Sequence, residues 1–281
     1  MTVKIVTDSV SDVTSEIAQE LGIAVIPIFV RFGEEVFRDG IDLTTDEFYY
    51  KLEHGKILPA SAVQSALTYA DVYDKLAEET DEILFIGLSR KLSASCEAAL
   101  QGIELMKRKC RVEVIDSQSA IMGEGLVVIT AAKAANAGAS LDEVVDVTRR
   151  NISRVDLRMA FDTLEYLRRG GRIGRAQAFL GSMLRVNPIL TVKDGEVQPV
   201  VRERSRAKAI DYLYNFAMSF SHIEEMAVEH ATTPDEADEL AERLSSRFPK
   251  ERMYRAKVGC VVGTHVGPHV LAVSVLGEKE S

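Results

Sequence analysis

The sequence predicts an α/β fold: an N-terminal parallel-sheet α/β domain followed by a C-terminal α+β domain. Three observations carry this. The first half repeats one unit: a short β-branched run, a loop of aspartate and serine, then a stretch of helical period. The run 83–88 is apolar almost throughout, as a strand covered on both faces must be. Beyond Val155 the repeat gives way to strand patterns joined by tight turns, as expected of antiparallel pairs. A chain of 281 residues is long for one core, and the change of pattern puts the boundaries at 1–155 and 156–281.

The elements follow in order. Residues 3–6 form a strand that ends at Thr7-Asp8-Ser9. Ser11-Asp12 opens a helix through Val13, Ile17 and Leu21, which Gly22 stops. The run 23–32 is a buried strand broken at Pro27, which has no N–H to give a ladder. Gly33-Glu34-Glu35 turns into Val36-Phe37, and Asp39-Gly40 turns again. Thr44 or Thr45 caps a helix that Gly55 ends, and 59–65 is a hydroxyl-bearing loop. Residues 69–76 are helical. After strand 83–88, Ser89-Arg90-Lys91-Leu92-Ser93-Ala94-Ser95 opens a helix over 96–106. Strand 111–115 leads through Asp116-Ser117-Gln118-Ser119 to a long helix, 120–137, and Ser140 caps another reaching 152. Right-handed crossovers join such units.

In the second half, strand 157–161 precedes the amphipathic run Leu164-Glu165-Tyr166-Leu167. Arg168-Arg169-Gly170-Gly171-Arg172-Ile173-Gly174 comes next. A glycine pair ends a helix without a Cβ clash, and its N–H groups lie beside guanidinium forks. Both suit carboxylate or phosphate, although solvated arginines at a C-cap fit the same residues. A short helix over 176–184, a hairpin 188–192 and 196–201 around Asp194-Gly195, a helix 206–220, a strand 226–230 and a helix 234–248 follow. Strands 258–262 and 270–276 flank a loop, 263–269.

Composition narrows the function. Net charge is −9, with 34 basic against 43 acidic residues, the wrong sign to steer nucleic acid. Cys96, Cys110 and Cys260 are scattered, so neither a disulfide framework nor a zinc site is implied. No leader pattern opens the chain and no apolar run could span a bilayer, so a cytoplasmic protein without stable membrane insertion is expected. Nucleotide fingerprints and the Gly-x-Ser-x-Gly elbow are missing. Gly267-Pro268 between His265 and His269 excludes a helical metal face. No metal and no cofactor are expected.

Thr7-Asp8-Ser9, Ser89 to Ser93 and Asp116-Ser117 should line the carboxyl edge of the sheet, where open α/β sheets bind ligands. Each alone also fits a helix N-cap. Arg168, Arg169 and Arg172, with Arg202, Arg204, Arg206 and Lys208, could face one anion. On an alternating strand Arg202 and Arg204 share a face, and a solvated edge strand fits too.

Five ordered motifs together resemble the DegV family of fatty-acid-binding proteins, across the whole chain. They are Thr7-Asp8-Ser9-Val10-Ser11-Asp12, Leu88-Ser89-Arg90-Lys91-Leu92-Ser93, Val114-Ile115-Asp116-Ser117, the run from Asp162 to Ile173, and Val262-Gly263-Thr264-His265-Val266-Gly267-Pro268. The resemblance implies two domains with a long-chain fatty acid in a tunnel between them. It implies a carrier, not an enzyme, that presents the carboxylate to a dihydroxyacetone-kinase-like fatty acid kinase making acyl phosphate. Ser61, Ser93, Thr264 and His265 would bind the carboxylate; Arg172, Arg202 and Arg204 would face the phosphate or the kinase. Phe161, Phe179, Met183 and Ile189 are candidate tunnel walls. The chain departs from the family pattern at Ala62, Val63, Ala94 and His269. The competing class is a serine/histidine-dependent hydrolase or acyltransferase using Ser61 or Ser93 with His265 and Asp116.

Overall fold

A computed structural model describes residues 2–182 and 186–279. In chain order the elements are β1 (Lys4–Asp8), α1 (Ser15–Leu21), β2 (Ala24–Ile26), β3 (Phe29–Phe32), β4 (Glu35–Arg38), α2 (Thr45–His54), β5 (Ala60–Ala62), α3 (Ala66–Leu76), β6 (Glu82–Gly87), α4 (Ser95–Leu105), β7 (Arg111–Asp116), α5 (Ile121–Asn136) and α6 (Leu141–Ile152). Then come β8 (Val155–Ala160), α7 (Glu165–Arg169), 3-10 turns over Gly174–Ser182, β9 (Asn187–Lys193), β10 (Glu196–Glu203), α8 (Arg206–Met218), β11 (Phe220–His230), α9 (Pro234–Leu244), β12 (Tyr254–Lys257), α10 (Cys260–Val266) and β13 (Leu271–Lys279).

The first sheet is parallel, in the order β2-β1-β6-β7. Its side chains alternate as a pleat requires. Ile83 and Phe85 pack under α3 and α4, whereas Leu84 and Ile86 pack under α5 and α6. Helices α3 and α4 meet at Gly102, where a Cβ would lie 2.7 Å from Tyr69 Cβ and 3.0 Å from the Ala66 carbonyl. Gly102→Ala should therefore lower the urea midpoint. Alanine's helix propensity contributes at most about 1 kcal/mol, and overpacking costs about 1–3. A raised midpoint would mean the two helices part freely.

The second sheet runs β10-β9-β8-β13-β11-β12, antiparallel except for the β11–β12 pair. One face is covered by α8 and α9. The other face meets residues of the first half in a shared core containing Val10, Leu88, Ile121, Met159 and Phe161. No helix among the described residues is long and apolar enough to cross a membrane.

Several local expectations are corrected. The first helix begins at Ser15, because Thr14, not Ser11, accepts the capping N–H of Ile17. Pro27 divides the run 23–32 between two sheets, and the 59–65 loop contains β5, which pairs with β3 in a three-stranded antiparallel sheet with β4. The helix expected over 206–220 stops at Met218, and Phe220 starts an eleven-residue strand. The helix expected over 234–248 stops at Leu244. The segment expected over 176–184 is 3-10 as far as Ser182; its last residues, and Met183 as a wall, lie outside the described residues.

The largest correction is at 258–269. Here β12 ends at Lys257 and Cys260–Val266 is a helix. β-Branched residues suggest a strand, but tertiary context overrides propensity. The Gly259 N–H donates to Asp12 Oδ1 at 3.0 Å and the Cys260 N–H to Asp39 Oδ1 at 3.1 Å. These carboxylates satisfy N–H groups that α10 leaves free at its start. Gly267, at φ 76, closes its other end.

Candidate functional site

A cavity of about 210 Å³ lies between the first and second sheets. Val10, Ile28, Leu88, Ala120 and Ile121 wall it from the first half; Met159, Phe161, Leu167, Val192 and Val266 wall it from the second. Ser61, Ser93, Arg172 and His265 supply its polar atoms. On the outside a surface recess of about 360 Å³ is lined by Pro59, Tyr166, Arg169 and Thr264, and again by Ser61, Arg172 and His265. Those three residues thus separate an apolar interior from the surface.

Each arrives on its own element. Ser61 is the middle residue of β5, held by Val30 of β3. His265 stands on the last turn of α10, and its Nε2 lies 2.8 Å from Ser61 Oγ. The ring can reach there only because α7 ends in Gly170: a Cβ on that residue would sit 2.2 Å from His265 Nδ1. Gly171, at φ 69, makes the turn. Arg172 then folds back, donating from Nε to the Leu92 carbonyl at 3.2 Å and from Nη1 to the Gly170 carbonyl at 2.8 Å. Among the described residues no carboxylate pairs with it. Ser93 precedes α4, and its Oγ accepts the Ser95 N–H at 3.2 Å.

Burial, reinforced by the Arg172 charge, pushes His265 down to about 4. The imidazole is neutral near pH 7 and carries one proton. With that proton on Nε2 it donates to Ser61 Oγ and frees the serine O–H to point at a ligand. Nδ1, which has no partner among the described residues, is then a bare acceptor, cheaper to bury than an unpaired N–H. Two hydroxyl donors and one guanidinium at the end of an apolar cavity can hold an anionic head group without a full ion pair at close range.

The hydrolase geometry is not assembled. Among the described residues no acid orients His265 Nδ1, and the Asp116 carboxylate accepts the Gln118 N–H instead. Thr264 faces the recess, but its hydroxyl donates to the Cys260 carbonyl at 2.9 Å. Arg168 and Arg169 are both drawn to Glu165. Arg202 lies over the Phe179 ring, 4.2 Å from its centroid, and donates to the Ala178 carbonyl. Because β10 ends at Glu203, Arg204 is exposed beyond the strand and does not share a strand face with Arg202. Neither lines the cavity among the described residues. Phe161 does, but Phe179 does not, and Ile189 belongs to the core on the α8 side. Of the departures, Val63 and Ala94 line the cavity, Ala62 is exposed on β5, and His269 takes φ 65, a conformation natural to glycine. Reading the sequence alone missed Gly170 as the seat of His265, since its own backbone is ordinary.

Residues 2–278 match the family described as "Uncharacterised protein, DegV family". A DegV domain-containing protein of Caldanaerobacter subterraneus is 34% identical over 275 residues, covering 96% of this chain and 97% of that protein. Among solved structures, a fatty-acid-binding DegV family protein from Thermus thermophilus is 31% identical with a TM-score of 0.90, covering 99% of this chain and 100% of the other. DegV of Bacillus subtilis, described as a fatty acid binding protein, is 28% identical with a TM-score of 0.88, covering 98% and 99%.

Proposed function

The chain belongs to the DegV family, and on that premise we propose that it binds a long-chain fatty acid in the cavity and presents the carboxylate to a separate kinase for acyl phosphate formation. The observation that carries this reading is the shared wall. Ser61, His265 and Arg172 line both the apolar cavity and the surface recess, so a carboxylate held there has its tail buried and its oxygens within reach of a partner. Two solved relatives of this fold are described as binding fatty acids, which supports the same ligand class here.

The energetics suit a carrier. Each buried methylene contributes roughly 0.8 kcal/mol, so a tail of about 15 contributes about 12 before ordering costs. The head group must be held more lightly, because it has to react and leave. Neutral donors, with Arg172 nearby to meet added phosphate charge, meet that requirement.

Mass spectrometry of the purified protein, native and then after solvent extraction, tests the ligand. A stoichiometric long-chain acid is expected; a protein that is empty and takes up no added acid sinks the proposal. Ser93→Ala should weaken retention about ten- to hundredfold, the worth of one hydrogen bond to a charged group. Unchanged lipid content in that variant would remove Ser93 from the head-group site. Adding a candidate kinase with ATP and detecting acyl phosphate tests presentation, and a serine-reactive probe that labels Ser61 or Ser93 would favour the hydrolase class.

A further inference from the structure

Strands β8 and β9 are paired at Met159 with Leu190 and Ala160 with Ile189, and the Phe161 N–H donates to the Pro188 carbonyl at 2.9 Å, but toward Leu157 and Val192 the ladder stops. On its other side β8 pairs with β13 along its whole length, so β8 itself is not frayed. Side chains stand in for the missing ladder. The Leu157 N–H donates to Asp156 Oδ1 at 2.8 Å, and the Leu157 carbonyl accepts from Arg158 Nη1 at 2.8 Å. Arg158 Nη1 also donates to Thr191 Oγ1 at 3.1 Å, across the gap. The gap is a polar cleft of about 820 Å³.

Cleft and cavity share one lining residue among those described, Val192. From the first half, residues 117–119 line the cleft while Ala120 lines the cavity. Two small side chains, beside Leu157 of the cleft lining, therefore stand at the partition. Its position follows from the register. Extending the Met159–Leu190 pair by two residues puts Val192 level with Leu157. Phe161 and Met159 then lead along the cavity from the α7 end, where Gly170 seats His265, toward Val192.

We propose that Val192, backed by Ala120, is the stop that sets how much acyl chain the cavity accepts. This rests on the fatty-acid reading above. Up to the stop, each added methylene leaves water and should raise affinity roughly fourfold. Past it, a methylene would enter the cleft beside Ser117 and Ser119 and gain nothing.

The test is competition. The full chain, stripped of lipid, is offered an equimolar graded series of straight-chain acids and read by native mass spectrometry, with thermal unfolding run on each variant. Val192→Ala removes two methyl groups from the partition and should shift the upper length limit upward. The ratio between two acids at the limit that differ by two carbons should change by about fifteenfold. Ala120→Val thickens the same wall and should move the limit downward, so the idea stays testable if one variant folds poorly. Binding with the wild-type length profile in a folded variant of either kind overturns the stop. Failure of the wild-type chain to bind any of the acids removes the proposed function, and this inference with it.

Discussion

Gly170→Ala should weaken retention of the ligand strongly, although alanine suits the local backbone better than glycine. The residue sits at φ −73, ψ −7, an ordinary helical conformation, where alanine is favoured by about 1 kcal/mol. Its Cβ, however, would fall 2.2 Å from His265 Nδ1. Either the imidazole swings away or α7 and α10 separate. Both break the Ser61–His265 bond and leave the hydroxyl without its orienting partner. Losing the oriented Ser61 hydroxyl, one hydrogen bond to a charged group at about 1.5–3 kcal/mol, makes the expected loss roughly ten- to hundredfold in affinity. A fatty-acid titration reads it directly. Adding His265→Gly should relieve the clash and restore the urea midpoint without restoring binding. Wild-type affinity in Gly170→Ala would show that the position of His265 does not matter to the ligand.

Raising the pH should destabilise the fold, and Glu229→Gln should flatten much of that dependence. Asp12 and Glu229 face each other where the loop after β1 meets β11, both buried. Glu229 Oε1 accepts the Met122 N–H at 3.1 Å and Asp12 Oδ1 accepts the Gly259 N–H, leaving one oxygen of each for the other. A shared proton satisfies both; two charges would repel. Burial pushes both carboxyls up, Glu229 to about 8. Burial also raises Asp8, Asp39 and Glu124. From the ordinary carboxylate range up to about pH 8 the folded state holds protons that the unfolded chain has released. Stability therefore falls as pH rises through that window. His265 acts oppositely: its folded value is depressed, so its contribution is lost as pH falls from the usual imidazole range toward 4. Urea midpoints between pH 6 and about 9 are the measurement. Asp12→Ala should cost about 3 kcal/mol at neutral pH, because it strips the Gly259 N–H and leaves Glu229 alone. A flat wild-type profile would mean water reaches the pair.

What the sequence made legible was local. Thr44 with Glu47 and Ser140 with Glu143 form capping boxes within four residues. Asp194 and Gly195 adopt φ 53 and 77, as a two-residue hairpin requires. The glycines around Glu124 sit at close approaches, Gly125 against the Ser11 carbonyl and Gly123 against Ser119 Oγ. What stayed hidden was set at a distance. The caps of α10 come from Asp12 and Asp39, 247 and 221 residues away, and no window of sequence holds both ends of those bonds. β5 has three residues and depends on β3 for its existence. In the site, hydroxyls at the sheet edge were readable from strand–loop–helix spacing, whereas the choice of Ser61, Ser93 and His265 came from family resemblance. Spacing could not find Gly170, since the contact that demands glycine is made by a residue ninety-five positions on.

The distant caps of α10 also impose an order of events. Synthesis releases Asp12 and Asp39 early, and they wait, without the N–H groups they will hold, while more than two hundred residues follow. Only α10 and β13 remain among the described elements when Gly259 emerges, and β13 is an interior strand of the second sheet. Contacts of such sequence separation form slowly. A nascent chain therefore gains its imidazole and the middle of its second sheet in the same closing step. Until then the cavity has no finished mouth, so a premature hydrophobic guest would meet an open cleft rather than a binding site.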